Sequence, residues 1–328
     1  MQILYIIGNG FDLNLGLKTS YNDFYEFYKN VPSDNENVLK LKENISKTYD
    51  SWADLELALG KYTQHLEKIE EFDEIIIDIG EELAKYLQIE QTKIEHYEFD
   101  TEKFYHYLSY PEELFLPADT ELLRKAKQKW KGHHWSLDIY TFNYTTVIEK
   151  IFGGKKQNVL LANHNGTATV KLREIKHIHG YLDRDMVLGV NDISQIANKS
   201  FHNNRDILES IVKTDCNRAN RNNVDRSFTN KINSANLICI FGSSIGETDN
   251  KWWELIGERL KSDCQLLIFS KGEEISPRIR HMQARAERNL RDMFLNKTNL
   301  NEQEMEIVEE KIFIGLNTKM FSGIVKNK

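Results

Sequence analysis

Cysteine, proline and long apolar runs are scarce in this chain of 328 residues, and each shortage excludes something. Three cysteines (Cys216, Cys239 and Cys264) with no C-x-x-C pair give no disulfide framework and no cysteine-rich zinc module, and they fit a reducing compartment. Four prolines and 17 glycines rule out collagen-like or linker-dominated architecture. The longest apolar runs, such as residues 75–77 and 237–241, are far shorter than a membrane span. Met1 leads directly into a strand-like run with no basic leader and no cleavage site, so a cytoplasmic protein is expected. Basic residues are also in deficit. The 43 Lys and Arg face 50 Asp and Glu, a net charge of −7 that argues against a general nucleic-acid coat while leaving a local basic groove open.

The length suits one large domain, or a core with one sizeable insertion, able to bury roughly 75% of its unfolded surface without staples. Ile3-Leu4-Tyr5-Ile6-Ile7 ends at Gly8-Asn9-Gly10 and reads as a strand buried on both faces of a parallel sheet. Ser20 and Asp23 have capping spacing and open a helix carrying Tyr21, Phe24, Phe27 and Tyr28. From about residue 35 to 130 charges dominate and apolar positions recur at helical intervals, as in Leu55, Leu59, Tyr62, Leu66 and Ile69. Strand texture returns at residues 137–142, 158–162, 175–178, 186–190, 236–241 and 265–269, with helices between. The expected fold is α/β: a mostly parallel sheet with helices on both faces and a large helical insertion. Residues 1–34 with 131–275 would form the core, 35–130 the insertion, and 276–328 a mostly helical extension ending in a segment at 311–315 of uncertain type.

Ligands of open α/β sheets sit outside the carboxyl ends of the strands, and four polar loops fall at such ends. Gly8, Asn9, Gly10, Phe11 and Asp12 follow the first strand, where glycines admit a phosphate close to the backbone; the alternative is a tight turn, because Leu13 stands where the third fingerprint glycine belongs. Thr141, Phe142, Asn143, Tyr144 and Thr145 follow the second, with Thr146 and Glu149 as a capping box for the next helix. The Asn143 amide can hold a ribose hydroxyl or a water, or only its own turn. His177-Ile178-His179-Gly180 places two histidines on one strand face, offering a general base, a metal site or an ordinary strand pair. No carboxylate or cysteine stands nearby at ligand spacing, so no metal is expected. Gly242, Ser243, Ser244, Ile245 and Gly246 precede Asp249, which is either a ligand contact or the N-cap of the Trp252 helix. Trp52, Asp54 and Glu56 read as a helix start that also stands in reach of the crevice, and the asparagine-rich run at 218–226 reads as a mobile loop and candidate lid.

The succession GNGFD, TFNYT, HIHG and GSSIGETD followed by WW resembles the AbiH family of bacterial abortive-infection proteins, from residue 3 to about residue 260. Ile6 to Leu13, with Thr19, Ser20, Tyr21 and Phe24, matches its opening signature, and Trp52-Ala53-Asp54-Leu55-Glu56 its second. That family in turn resembles the sirtuin-like NAD-binding fold and the NAD-hydrolysing domains of antiphage systems. The resemblance implies a Rossmann-like core, NAD as substrate, Asn143 and His179 as catalytic residues, and nucleotide contacts at Gly8, Asn9, Gly10, Phe11, Asp12, Thr141, Tyr144, Gly180, Gly242, Ser243, Ser244 and Asp249. The opening loop is GNGFD rather than the sirtuins' GAG type, and the insertion is larger.

Chemistry permits so small a catalytic set. Glycoside hydrolysis normally needs a carboxylic acid for the leaving oxygen, but nicotinamide in NAD leaves neutral from a cationic ring. Holding the ribose, excluding water from the pyridinium and placing one water at the anomeric carbon suffice. A nucleotide sensor that binds NAD or ADP-ribose without hydrolysis is the alternative, and a nucleic-acid-targeting effector a remoter one. An unregulated NAD hydrolase would kill its host, so control by homo-oligomer state, a lid or a partner such as a phage-derived trigger is expected.

Overall fold

A computed structural model describes residues 1–164, 168–276 and 278–326. Its centre is one sheet of seven strands among the described residues: β1 (Gln2–Ile7), β2 (Trp135–Thr141), β3 (Val159–His164), β4 (Ala168–His177), β5 (Leu237–Phe241), β6 (Gln265–Ser270) and β7 (Ile312–Leu316). They lie in the order β3-β4-β2-β1-β5-β6-β7. Every pairing is parallel except β3 with β4. His177, Thr141, Ile7, Phe241, Phe269 and Gly315 stand in one register row, so the parallel strands finish flush along one edge. The chain fills the sheet from β1 outward on one side and returns past it to begin β5 on the other. The order therefore reverses between β1 and β5.

Side-chain alternation explains why the central strands read as unbroken apolar runs. Ile3, Tyr5 and Ile7 enter one core with Leu137, Ile139, Cys239 and Leu267. Leu4 and Ile6 enter the opposite one with Tyr140, Ile238, Ile240, Leu266 and Ile268. The first face is covered by α6 (Thr101–Ser109), α7 (Pro117–Lys127) and α8 (Val147–Ile151) through Phe104, Leu108, Leu123 and Ile148. The second takes α11 (Val224–Ser234), α12 (Asn250–Leu260) and α13 (Arg280–Leu295) through Phe228, Trp253, Ile256 and Phe294. A third core unites α2 (Tyr21–Tyr28), α3 (Glu36–Lys47), α4 (Leu55–Tyr62) and α5 (Ile69–Thr92) with α9 (Arg205–Ile211), Tyr144, Leu188 and Val190. The long first crossover thus divides, one part lying on the sheet and the other joining the segment that follows β4. The short α1 (Gly10–Asn14), α10 (Lys213–Ala219) and α14 (Glu302–Glu309) complete the helices used below.

Ser20 caps α2, its Oγ accepting from Asp23 N at 3.1 Å, as its spacing predicts. Several local readings are corrected. Residues 186–190 are not a strand: Gly180 (φ +75°) and Asp185 (φ +51°) reverse the chain after β4, and Val190 bridges only Val212. β4 begins earlier than its apolar end suggests, because Lys171 and Arg173 alternate with Val170 and Leu172 on a strand paired to the sheet's edge. The segment at 311–315 is the edge strand β7. The run at 218–226 is the end of α10, a turn and the start of α11. Thr146 precedes α8 without capping it, since its N and Oγ1 bond Gln91 Oε1 at 2.6 and 3.2 Å.

Candidate functional site

A cleft of about 490 Å³ runs along the carboxyl ends of β4, β2, β1, β5 and β6. It is lined by the loops after all five strands, from His179 to Lys271, and its other wall carries Tyr21, Ala53, Asp54, Glu56, Leu83 and Leu87 from the first crossover. Five neighbouring strands at about 4.8 Å give a crevice on the order of 19 Å long.

At the switch between β1 and β5 the two glycine loops touch. Gly8 N donates to Phe241 O at 2.9 Å and Gly10 N to Gly242 O at 2.8 Å. A Cβ on Gly10 would stand 2.5 Å from Gly242 Cα, and one on Gly8 2.7 Å from Gly242 O. These glycines are required by the contact of one loop with the other, and their N–H groups are consumed by it. Asn9 is engaged as well: Nδ2 donates to Thr19 O at 2.8 Å and Oδ1 accepts from Thr19 Oγ1 at 2.6 Å. The loop lines the cleft but brings it few unused groups.

Asp12 follows on α1 and is fully buried beneath the cleft floor. Its Oδ1 accepts from Asn143 Nδ2 at 3.1 Å and its Oδ2 from Thr145 Oγ1 at 2.5 Å. Burial pushes its carboxyl up to about 6, against the pull of the Thr145 and Asn143 hydrogen bonds and of His177. Because Asp12 holds the Asn143 amide by its nitrogen, Asn143 Oδ1 is left buried with no hydrogen-bond partner among the described residues. A buried acceptor of this kind needs a donor from a water or a ligand.

The two histidines part company. His177 ends β4, packs away from the cleft, and bonds Asn143 O at 2.6 Å and Glu149 Oε1 at 2.9 Å. The carbonyl can only accept, so His177 Nδ1 is the donor to Asn143 O. It braces the Asn143 backbone, and Glu149 serves it instead of capping α8. His179, two residues on, lines the cleft beside Phe142 and Tyr144, with ring centroids at 5.1 and 6.2 Å. Its Nε2 bonds Asp249 Oδ1 at 3.0 Å.

Asp249 is therefore not a capping side chain for α12. The same Oδ1 accepts from Lys213 Nζ at 3.0 Å, and Lys213 also reaches Glu56 Oε2 at 2.9 Å and Thr248 O at 3.0 Å. Burial alone would raise the Asp249 carboxyl, but the charge of Lys213 and the hydrogen bonds from His179 and Lys213 override it and hold that group well below the usual carboxylate range. Lys213, for its part, is held above the ordinary lysine value: burial opposes the charge, and Asp249 and Glu56 outweigh burial. Asp54 caps α4 through Leu57 N at 3.1 Å, so the helix start expected at Trp52, Asp54 and Glu56 is present while Glu56 points into the site.

Of the site residues that the resemblance implies, Gly8, Asn9, Gly10, Asp12, Asn143, Tyr144, His179, Gly242, Ser243, Ser244 and Asp249 line this one cleft. Three do not. Phe11 is sealed in the core against Phe104, Phe241 and Phe321. Thr141 is buried with its Oγ1 on Ile7 O at 2.8 Å. Gly180 makes the turn after β4, where a side chain would strike Asp185 O. The run at 218–226 contributes nothing to the lining, whereas α4 and α5 do. Carboxylates do approach His179, contrary to the sequence spacing: Glu56, His179 and Asp249 bring ligand atoms within 4.8 Å of one another. They come from far along the chain, and the ammonium of Lys213 already bonds both acids. Lys213 itself left no sign in the sequence.

A family model described as bacteriophage abortive infection AbiH matches residues 4–270. The chain belongs to the AbiH family. The AbiH match begins within β1 and ends with the last residue of β6, so it spans every cleft-lining residue except Lys271. No curated protein matches the chain. Among the described residues no helix is long and apolar enough to cross a membrane.

Proposed function

We propose that this cleft binds NAD and hydrolyses its nicotinamide–ribose bond, releasing nicotinamide and ADP-ribose as the means of an abortive-infection response. The observation that carries the reading is the convergence of Asn143, with an unpartnered buried Oδ1, and His179, with a carboxylate behind its ring, on one cleft beside the β1–β5 switch. Taken without the antiparallel edge strand, β4-β2-β1-β5-β6-β7 has the doubly wound order in which dinucleotides lie across the crevice, which supports a Rossmann-like, sirtuin-like core. The volume falls within the range of small-molecule sites.

In this reading Asn143 Oδ1 accepts from the nucleophilic water or a ribose hydroxyl. The water oxygen bonds the anomeric carbon as the carbon–nitrogen bond breaks. That bonding pair passes to the pyridinium nitrogen, so nicotinamide departs neutral, and the water proton passes to His179. Phe142, Tyr144 and Leu87 shield the reacting end from bulk water. With the Gly8 and Gly10 amides occupied, the phosphates lie along Ser243, Ser244 and Lys271.

Purified protein incubated with NAD and read by chromatography should form nicotinamide, and Asn143→Ala and His179→Ala should each abolish it with the fold intact. Unchanged NAD beside tight ADP-ribose binding would replace the hydrolase with a nucleotide sensor. Activity is held in check by assembly, by movement of α4 and α5 over the cleft, or by a phage-derived trigger. Equally rapid NAD depletion in infected and uninfected cells would refute that control.

A further inference from the structure

Lys213 is buried and its three N–H donors are all used; it does not itself line the cleft, but its three partners, Glu56, Thr248 and Asp249, do. It is the hub of a chain that crosses the molecule. Glu56 stands on α4 in the first crossover, takes Thr248 Oγ1 at 3.1 Å and Gly189 N at 3.3 Å, and meets Lys213 across 157 residues of sequence. Lys213 meets Asp249, and Asp249 meets His179 through the same carboxylate oxygen. An ionised carboxylate can only accept, so His179 Nε2 is a donor and carries the ring's proton. Nδ1 takes no hydrogen bond among the described residues, so no acceptor in the fold holds a second proton there. The ammonium is a cation hydrogen-bonded to both acids, so an imidazolium is not the sole source of positive charge beside Asp249.

The geometry points to Lys213 as a positioning residue that ties helix α4 to His179 through Glu56 and Asp249, fixes the His179 proton on Nε2, and leaves Nδ1 as the nitrogen that accepts a proton from the ligand side. Any partner or assembly contact that shifts α4 acts on His179 through this link. The inference deepens the hydrolase reading and rests on it only for the consequence for turnover. Among the described residues, the charged and titratable groups around the ring are Asp249 and Lys213, with Glu56 behind them, the Tyr144 ring 6.2 Å away, and the paired Asp225 and Lys251 across a small pocket that His179 also lines.

The test is nitrogen NMR of the full chain labelled at histidine, with His179→Gln used to assign the ring. The wild-type ring should carry one proton, on Nε2, near neutral pH. In Lys213→Met it should carry two at the same pH, because the imidazolium replaces the lost cation. Should Lys213→Met fail to fold, the double variant Glu56→Gln with Lys213→Met removes one charge of each sign and should show the same second proton. In parallel, kcat for NAD should fall about 100-fold, the lower range of a general base's contribution, with KM little changed, and recover as pH is raised. A wild-type proton on Nδ1, or a ring that stays singly protonated in both variants, overturns the proposal. The expected proton counts in a protein inert toward NAD would refute the hydrolase and leave the link standing.

Discussion

Asp12 and Asp249 are two aspartates at the same cleft, and their surroundings drive them in opposite directions. Asp12 has only neutral donors, Asn143 and Thr145, and burial lifts its carboxyl to about 6. Asp249 shares Lys213 and His179, and its carboxyl is held well below the ordinary range although burial opposes this. Depth alone decides neither. The presence of a cation does, and it gives one end of the cleft an acid that can gain a proton near neutrality and the other a fixed negative charge behind an imidazole.

The contrast is broken most severely at Lys213. Lys213→Ala strands two buried carboxylates and should cost about 3–5 kcal/mol in urea denaturation; a loss under 1 kcal/mol would mean that the acids are not ionised there. The next effect is at Asp12. Its carboxyl is raised in the fold, so its contribution is present in full below the unfolded value near 3.8 and is lost as pH rises through about 6, a change of about 3 kcal/mol. Denaturation midpoints measured between pH about 4 and 7 should show this decline in the wild type and a flatter profile in Asp12→Asn. Asp249 has the opposite sign: its depressed carboxyl stabilises above the unfolded value and loses that contribution on acidification below it, so the penalty of Asp249→Asn should shrink at low pH. The smallest effect is Thr145→Val, which removes a donor to Asp12 and should cost about 1.5–3 kcal/mol at neutral pH and less once Asp12 is protonated. Equal loss at both pH values would mean that Asp12 does not change protonation between them.

Much of the core was legible because a strand buried on both faces announces itself as an apolar run. Residues 3–7, 137–142, 236–241 and 265–269 fall on β1, β2, β5 and β6 to within two residues. β4 was half seen, since Lys171 and Arg173 interrupt its apolar positions, and edge strand β7 had too little context. The loops were legible for the same reason: a strand end followed by glycine or asparagine fixes where a ligand would sit. What stayed hidden were roles set by distant partners. Glu149 has capping spacing from Thr146 yet turns to His177. Asp249 stands at a helix start yet bonds His179, and a buried lysine such as Lys213 leaves no local pattern at all. The glycines were read correctly in position, but loop-to-loop packing at Gly242 explains them before any phosphate does.

Asn143 and His179 can act together only on a nucleotide that lies across the strand ends. A crystal structure with ADP-ribose should show the terminal ribose within hydrogen-bonding distance of Asn143 Oδ1, with His179 Nδ1 facing its anomeric carbon and the diphosphate beside Ser243 and Ser244. ADP-ribose bound away from the strand ends, or with that ribose turned from both side chains, would contradict it.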